Sequence, residues 1–158
     1  MTLTYLGLGS NLGDRDRNLA EARRLLAGAG ARLLRQSGIH ETEPFGVTDQ
    51  PRFLNQVVEV EWTRGPRELL EVVKAVETAV GRTPSYRWGP REIDVDILLF
   101  GCQRVDDPDL VIPHPGLFER EFVLRPLAEL RPDLSRRGGS ASCPVPQSPP
   151  ARVPEVPQ

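Results

Sequence analysis

Arg91-Glu92-Ile93-Asp94-Val95-Asp96-Ile97-Leu98-Leu99-Phe100 alternates with period two and reads as a β-strand. Alternate side chains leave a strand on the same face. Ile93, Val95, Ile97 and Leu99 are therefore expected to point one way, and Asp94, Asp96, Leu98 and Phe100 the other. The two carboxylates lie about 7 Å apart along the chain, at roughly 3.3 Å per residue. Held that close they repel, and cations relieve the repulsion. Magnesium suits such a pair, because it takes oxygen ligands and is commonly held by one or two carboxylates together with substrate phosphates. Arg82, Arg87 and Arg91 precede the pair, and guanidinium groups beside carboxylate-bound cations make a site for a polyphosphate. An Asp-x-Asp strand is also what a solvated sheet face looks like. Against that bland reading, Asp is depleted in strands, and Leu98 and Phe100 continue the same face.

Upstream, Thr2 to Leu8 reads as a first strand. Gly9-Ser10-Asn11-Leu12-Gly13-Asp14 reads as a tight connection into a helix capped by Asp14 or Asp16, with Leu19, Ala22, Leu25 and Leu26 as its apolar stripe. This glycine-rich turn is neither a dinucleotide fingerprint, since Leu12 stands where glycine is needed, nor a P-loop, since Asp14 follows Gly13. Ala31 to Glu43 suggests a second strand, and Pro44 to Pro51 a long loop of turn formers. Phe53 to Trp62 is a third strand. Leu54, Val58, Val60 and Trp62 share one face of it, and Phe53, Asn55, Val57, Glu59 and Glu61 the other. Gly65-Pro66 opens a second helix and Gly81 closes it. Leu69, Val73, Val76 and Val80 line its buried side, with Glu77 at the margin. The order strand, helix, strand, strand, helix, strand is that of an α+β, ferredoxin-like split βαβ sandwich. Its sheet is antiparallel, helices pack on one face, and the other face is left for Asp94 and Asp96. Short elements surround Pro113-His114-Pro115.

The chain of 158 residues is enough for one domain with one core, expected over residues 1–134. From Ser135 to Gln158 it is rich in proline and serine and has no aromatic residue, the composition of a disordered tail. The net charge of -2 gives no sign of bulk nucleic-acid binding. No apolar run approaches membrane-spanning length, and there is no signal-peptide pattern. Cys102 and Cys143 lack metal-ligand spacing and read as free thiols. A cytoplasmic protein that binds neither nucleic acid nor membrane, and acts as a monomer, is the expectation.

Four segments together resemble the 6-hydroxymethyl-7,8-dihydropterin pyrophosphokinase family of folate biosynthesis. They are Leu6 to Asp14; Thr42 to Gly46 with Phe53-Leu54-Asn55; Arg87-Trp88-Gly89-Pro90-Arg91 through Asp94 to Gly101; and Ile112-Pro113-His114 with Arg120-Glu121-Phe122. The third is the most specific. The resemblance implies the ferredoxin-like fold with long catalytic loops, ATP as co-substrate, two magnesium ions on Asp94 and Asp96, and transfer of the diphosphate of ATP to a pterin alcohol with release of AMP. It implies that Arg82 and Arg91 balance charge on the transferring group. Glu77, Arg87, Trp88, Arg91, Ile97 (through its backbone), His114 and Arg120 would meet the nucleotide. Phe53 and Phe122 would sandwich the pterin, Thr42 and Asn55 would bond its edge, and Phe45 would close over it. Flat rings gain from such stacking, and an amide both donates and accepts, as an amino-pyrimidinone edge requires.

Some positions depart from the family pattern. Thr83-Pro84-Ser85-Tyr86 replaces a loop that usually carries a further basic residue. Glu43 stands where proline or a small residue is common, and Asp109 and Val111 replace polar or basic residues. The usual final strand and helix are not recognisable beyond Leu134. The aspartate pair alone also allows another magnesium-dependent phospho- or nucleotidyltransferase, and a catalytically inactive pterin- or nucleotide-binding module is the remaining alternative. The Phe53, Asn55 and Phe122 set argues against the first, and retention of Arg82, Arg91, Asp94 and Asp96 against the second.

Overall fold

The structure is a computed structural model that describes residues 1–43, 49–81 and 92–135. The elements run β1 (Thr2–Ser10), α1 (Arg15–Gly28), β2 (Arg32–Gln36), β3 (His40–Thr42), β4 (Phe53–Trp62), α2 (Pro66–Val80), β5 (Asp94–Phe100), β6 (Val105–Asp107), β7 (Leu110–Ile112) and α3 (Glu121–Leu130), followed by a 3-10 turn at Pro132–Ser135. The main sheet has the order β2-β4-β1-β5, with β3 also on β4, and every neighbouring pair is antiparallel. This is the ferredoxin-like sandwich expected from the element order.

Local chemistry sets the helix ends. Asp14 caps α1 by accepting from Arg17 N at 3.1 Å. Pro66 opens α2, and Gly81 closes it at φ 111°, a conformation that needs no Cβ. Leu19, Ala22 and Leu26 of α1 and Leu69, Val73 and Val76 of α2 bury against Leu6, Leu8, Val58, Val60, Trp62, Val95 and Ile97. The opposite face is partly covered by α3. Leu127 and Leu130 pack there with Tyr5, Val57, Leu98 and Leu117.

The structure corrects several details. The second strand is interrupted: β2 stops at Gln36 and β3 begins at His40, so Ser37, Gly38 and Ile39 lie between two pieces that both pair with β4. In β5 the register slips, with Leu6 opposite Ile97 and Tyr5 opposite Leu99, which leaves Leu98 as an extra residue. One extra residue reverses the faces beyond it. Phe100 therefore joins the helix-side core, and Leu99 packs against the far-side cluster, the reverse of the simple alternation. Glu77 is buried, not marginal. Cys102, exposed in the turn after β5, is disulfide-bonded and not a free thiol, and Cys143 lies outside the described residues. No described helix is long and apolar enough to cross a membrane.

Candidate active site

The register of the sheet builds the site. Asp94 of β5 lies opposite Gly9 of β1, Gly9 opposite Asn55 of β4, and Asn55 opposite His40 of β3. In the next row Asp96, Gly7 and Val57 align. A cavity of about 320 Å³ opens over these rows. Asp94, Asp96 and Leu98 line one side, Thr42, Phe53 and Asn55 another, Gly7 and Gly9 the floor, and His114, Arg120, Phe122 and Val123 the wall carried by the chain after β7. Asp94 is half-buried and Asp96 exposed. Among the described residues no group of three or more His, Cys, Asp or Glu could hold a metal ion, so the acidic centre here is the pair itself.

Gly7 and Gly9 were not singled out as site residues by the sequence, yet their missing side chains make the floor. A Cβ on Gly9 would lie 3.1 Å from Asn55 Oδ1 and 3.6 Å from Phe53 Cδ1. Their signal was period-two alternation with Leu6 and Leu8, because glycine at strand spacing marks close approach of a backbone. Asn55 is almost buried, and its Nδ2 donates to Thr42 Oγ1 at 2.5 Å. The two groups expected at the edge of a ring are thus already fastened to each other.

His114 follows the cis Ile112-Pro113 bond, and its backbone N donates to Leu98 O at 3.0 Å, which holds it beside β5. Burial, with a smaller effect from the charge on Arg120, lowers the pKa of the imidazole below its usual 6.5. The ring is therefore neutral at pH 7. Its Nδ1 accepts from Gly116 N at 3.0 Å, so the ring proton sits on Nε2, which is then a hydrogen-bond donor. Arg120 occupies the N-cap position of α3. Gly116 leaves room for it, since a Cβ there would lie 2.7 Å from Arg120 Nε.

Glu77 does not line the cavity. Its Oε2 accepts from Val95 N at 2.8 Å, on the residue between the two aspartates. β5 ends the main sheet, so this bond satisfies an edge N–H with a buried carboxylate. The Ile97 side chain is in the helix-side core, which leaves only its backbone for any ligand. Phe45, Arg82, Arg87, Trp88 and Arg91 lie outside the described residues.

Fold and cavity define an α+β protein with a small-molecule site on the face of the sheet opposite α1 and α2. Residues 5–132 match the family described as 7,8-dihydro-6-hydroxymethylpterin-pyrophosphokinase (HPPK), and the chain belongs to it. It is 44% identical over 140 residues to the 2-amino-4-hydroxy-6-hydroxymethyldihydropteridine pyrophosphokinase of Bacillus subtilis, covering 88% of this chain and 84% of that one. It is 48% identical over 135 residues to the protein of the same name from Methylorubrum extorquens, covering 85% of each. Among solved structures, Plasmodium falciparum HPPK-DHPS superposes with a TM-score of 0.62 over 90% of this chain and 42% of that one. At 15% identity that likeness speaks to the fold alone.

Proposed function

We propose that this chain transfers the diphosphate of ATP to the hydroxymethyl oxygen of 6-hydroxymethyl-7,8-dihydropterin, giving AMP and the pterin diphosphate, a step of folate biosynthesis. The observation that carries the reading is one cavity lined on one side by Asp94 and Asp96 and on the other by Phe53, Asn55 and Thr42. The first wall suits a polyphosphate, and the second suits a flat, hydrogen-bonding ring.

Magnesium fits the donor set. Both groups are carboxylates on one strand, and an ion held by one or two carboxylates keeps positions for water and phosphate. Asp94 and Asp96 would hold two ions, which would supply charge neutralisation to the triphosphate and align it for in-line displacement. Phosphoryl transfer asks little covalent chemistry of a protein and depends on positioning and charge stabilisation. The residues of this chain divide that work. Phe53 and Phe122 stack the pterin, with Phe45 closing over it, and Asn55 and Thr42 fix its edge. Nε2–H of neutral His114 and the guanidinium of Arg120 bind phosphate oxygens. Glu77 holds the backbone between the aspartates, and Arg87, Trp88 and the backbone of Ile97 complete the nucleotide side. Arg82 and Arg91 offset charge on the transferring group. Asp94, facing the acceptor hydroxyl, takes its proton.

The catalytic unit spans residues 1–134. The enzyme acts as a cytoplasmic monomer on two small molecules. The test is incubation with ATP, magnesium and hydroxymethyl-dihydropterin, with mass analysis of the products. Equimolar AMP and pterin diphosphate support the reading, and ADP or free pyrophosphate in their place refutes it.

A further inference from the structure

The two walls of the cavity are held in different ways. Thr42, Phe53 and Asn55 sit on strands hydrogen-bonded to each other. Phe122 sits in the first turn of α3, which has no side-chain N-cap bond. Pro126 lies inside this helix and has no N–H to give the carbonyl of Phe122. The helix that carries Phe122 is anchored to the strands near its C-terminal end.

That anchor is specific. Glu129 Oε1 accepts from Gly38 N at 2.7 Å, and Oε2 meets His40 Nε2 at 2.5 Å. Arg35 Nη2 donates to Leu130 O at 3.0 Å in the same turn of α3. Gly38 lies in the break between β2 and β3, and the break turns its N–H toward the helix. A Cβ at Gly38 would lie 3.6 Å from Glu129 Oε1, so the carboxylate is seated close against the strand. Phe122 and Glu129 are seven residues apart, two turns and about 10 Å along one side of the helix. His40 and Thr42 are two residues apart on one face of β3, about 7 Å. The row Glu129 to Phe122 thus runs beside the row His40 to Thr42. One end of this pairing is the Glu129 contact, and the other is the acceptor slot.

We infer that Glu129, through Gly38 and His40, is a positioning residue that sets the width of the slot between Phe122 and the Phe53–Asn55–Thr42 wall. The inference rests on the pterin reading of that slot. It assigns a function to the interruption of the second strand, whose Gly38 N–H meets the Glu129 carboxylate.

The test measures the affinity of hydroxymethyl-dihydropterin in the presence of a non-reactive ATP analogue, the affinity of the analogue alone, and Tm. Glu129→Ala is expected to weaken pterin binding about tenfold while analogue affinity stays within about twofold, because a lost charge-assisted bond acts only on the wall it holds. Glu129→Gln, which can still accept from Gly38, is expected to retain most of the affinity, and His40→Ala to fall between the two. Unchanged pterin affinity in Glu129→Ala overturns the inference. So does equal weakening of both ligands, or Glu129→Gln as damaging as alanine, since each marks a merely structural role. Glu129 is 42% exposed, so the variants are expected to fold. If Glu129→Ala fails to fold, His40→Ala decides by the same criteria. A wild-type protein that forms no pterin diphosphate sinks the function itself; an active wild type with an unaffected variant sinks this inference alone.

Discussion

Replacing Glu77 separates support of the aspartate strand from direct contact with ligand. Glu77 is buried, and its carboxylate bonds the backbone N of Val95 at 2.8 Å. Glu77→Ala removes a hydrogen bond to a charged group, worth about 1.5–3 kcal/mol, and leaves a strand-edge N–H without this acceptor. It also removes buried methylene contacts, at about 0.8 kcal/mol each. A net loss of about 3 kcal/mol lowers Tm by about 10 °C for a unit of roughly 130 residues. Glu77→Gln keeps an acceptor oxygen and gives up only the charge. A loss of about 1 kcal/mol, or about 4 °C, is expected. The assay pairs thermal unfolding with a magnesium titration of turnover at saturating ATP. Loosening Val95 disturbs both neighbouring carboxylates together, so Glu77→Ala should need more magnesium for half-maximal rate while Glu77→Gln stays near wild type. If the alanine variant keeps wild-type Tm and magnesium requirement, the bond has no supporting role. If glutamine is as harmful as alanine in the titration, the carboxylate charge acts on the ligand and the reasoning from the backbone bond fails.

Gly9→Ala puts a methyl group 3.1 Å from Asn55 Oδ1, whose amide is already committed to Thr42. The KM for pterin should rise about tenfold with ATP affinity unchanged, and Gly7→Ala, whose Cβ would meet Leu98 at 3.4 Å, is the tolerant control in the same steady-state assay. Asp96→Ala should abolish turnover and sharply weaken pterin binding measured with ATP present; full activity would remove the metal assignment. The bidentate bond from Arg35 holds the Glu59 carboxyl below its usual 4.5. A depressed folded pKa gives stability that is complete above the unfolded value and is lost as pH falls through the folded one. Denaturant titrations of Glu59→Gln should therefore show a lower plateau near pH 7 and a flatter acid limb below about pH 4.5 than wild type; parallel curves would show that Glu59 does not carry this dependence.

The alternation in β5 and β4 and the Gly65-Pro66 and Gly81 signals were enough to read the split βαβ order, because periodicity and capping are local. What escaped the sequence depends on nonlocal geometry. The slip at Leu98 leaves no local trace, since Leu98, Leu99 and Phe100 are all apolar and suit either face. Glu77 looks like any polar residue beside an apolar stripe; the edge N–H of Val95 that its buried carboxylate accepts from lies 18 residues away in the chain. The strand break at Gly38 is equally silent, because its partner Glu129 lies 91 residues away. The candidate site was legible mainly through its resemblance to a family, and Gly7 and Gly9 were passed over because glycine was read as a turn former and not as floor.

The row Asp94, Gly9, Asn55, His40 explains why such a site belongs on this fold. Its members are spaced by the sheet itself, at about 4.8 Å per strand, so the separation between the acidic side and the amide side is set by backbone hydrogen bonds. Neither side-chain flexibility nor loop movement can change it much. Positioning is what phosphoryl transfer asks of a protein, and the distance that matters to it is carried by the stiffest part of the molecule. The third wall has no such ladder. It hangs on α3 through Glu129, Arg35 and the cluster around Leu127 and Leu130. Substitution of Asp94 should therefore act on the chemistry and the triphosphate side together, whereas substitutions in the α3 anchor should act on ring affinity and leave the triphosphate side intact. That contrast follows from which contacts are backbone and which are side chain, and it holds whatever the detailed trajectory of the transferred group.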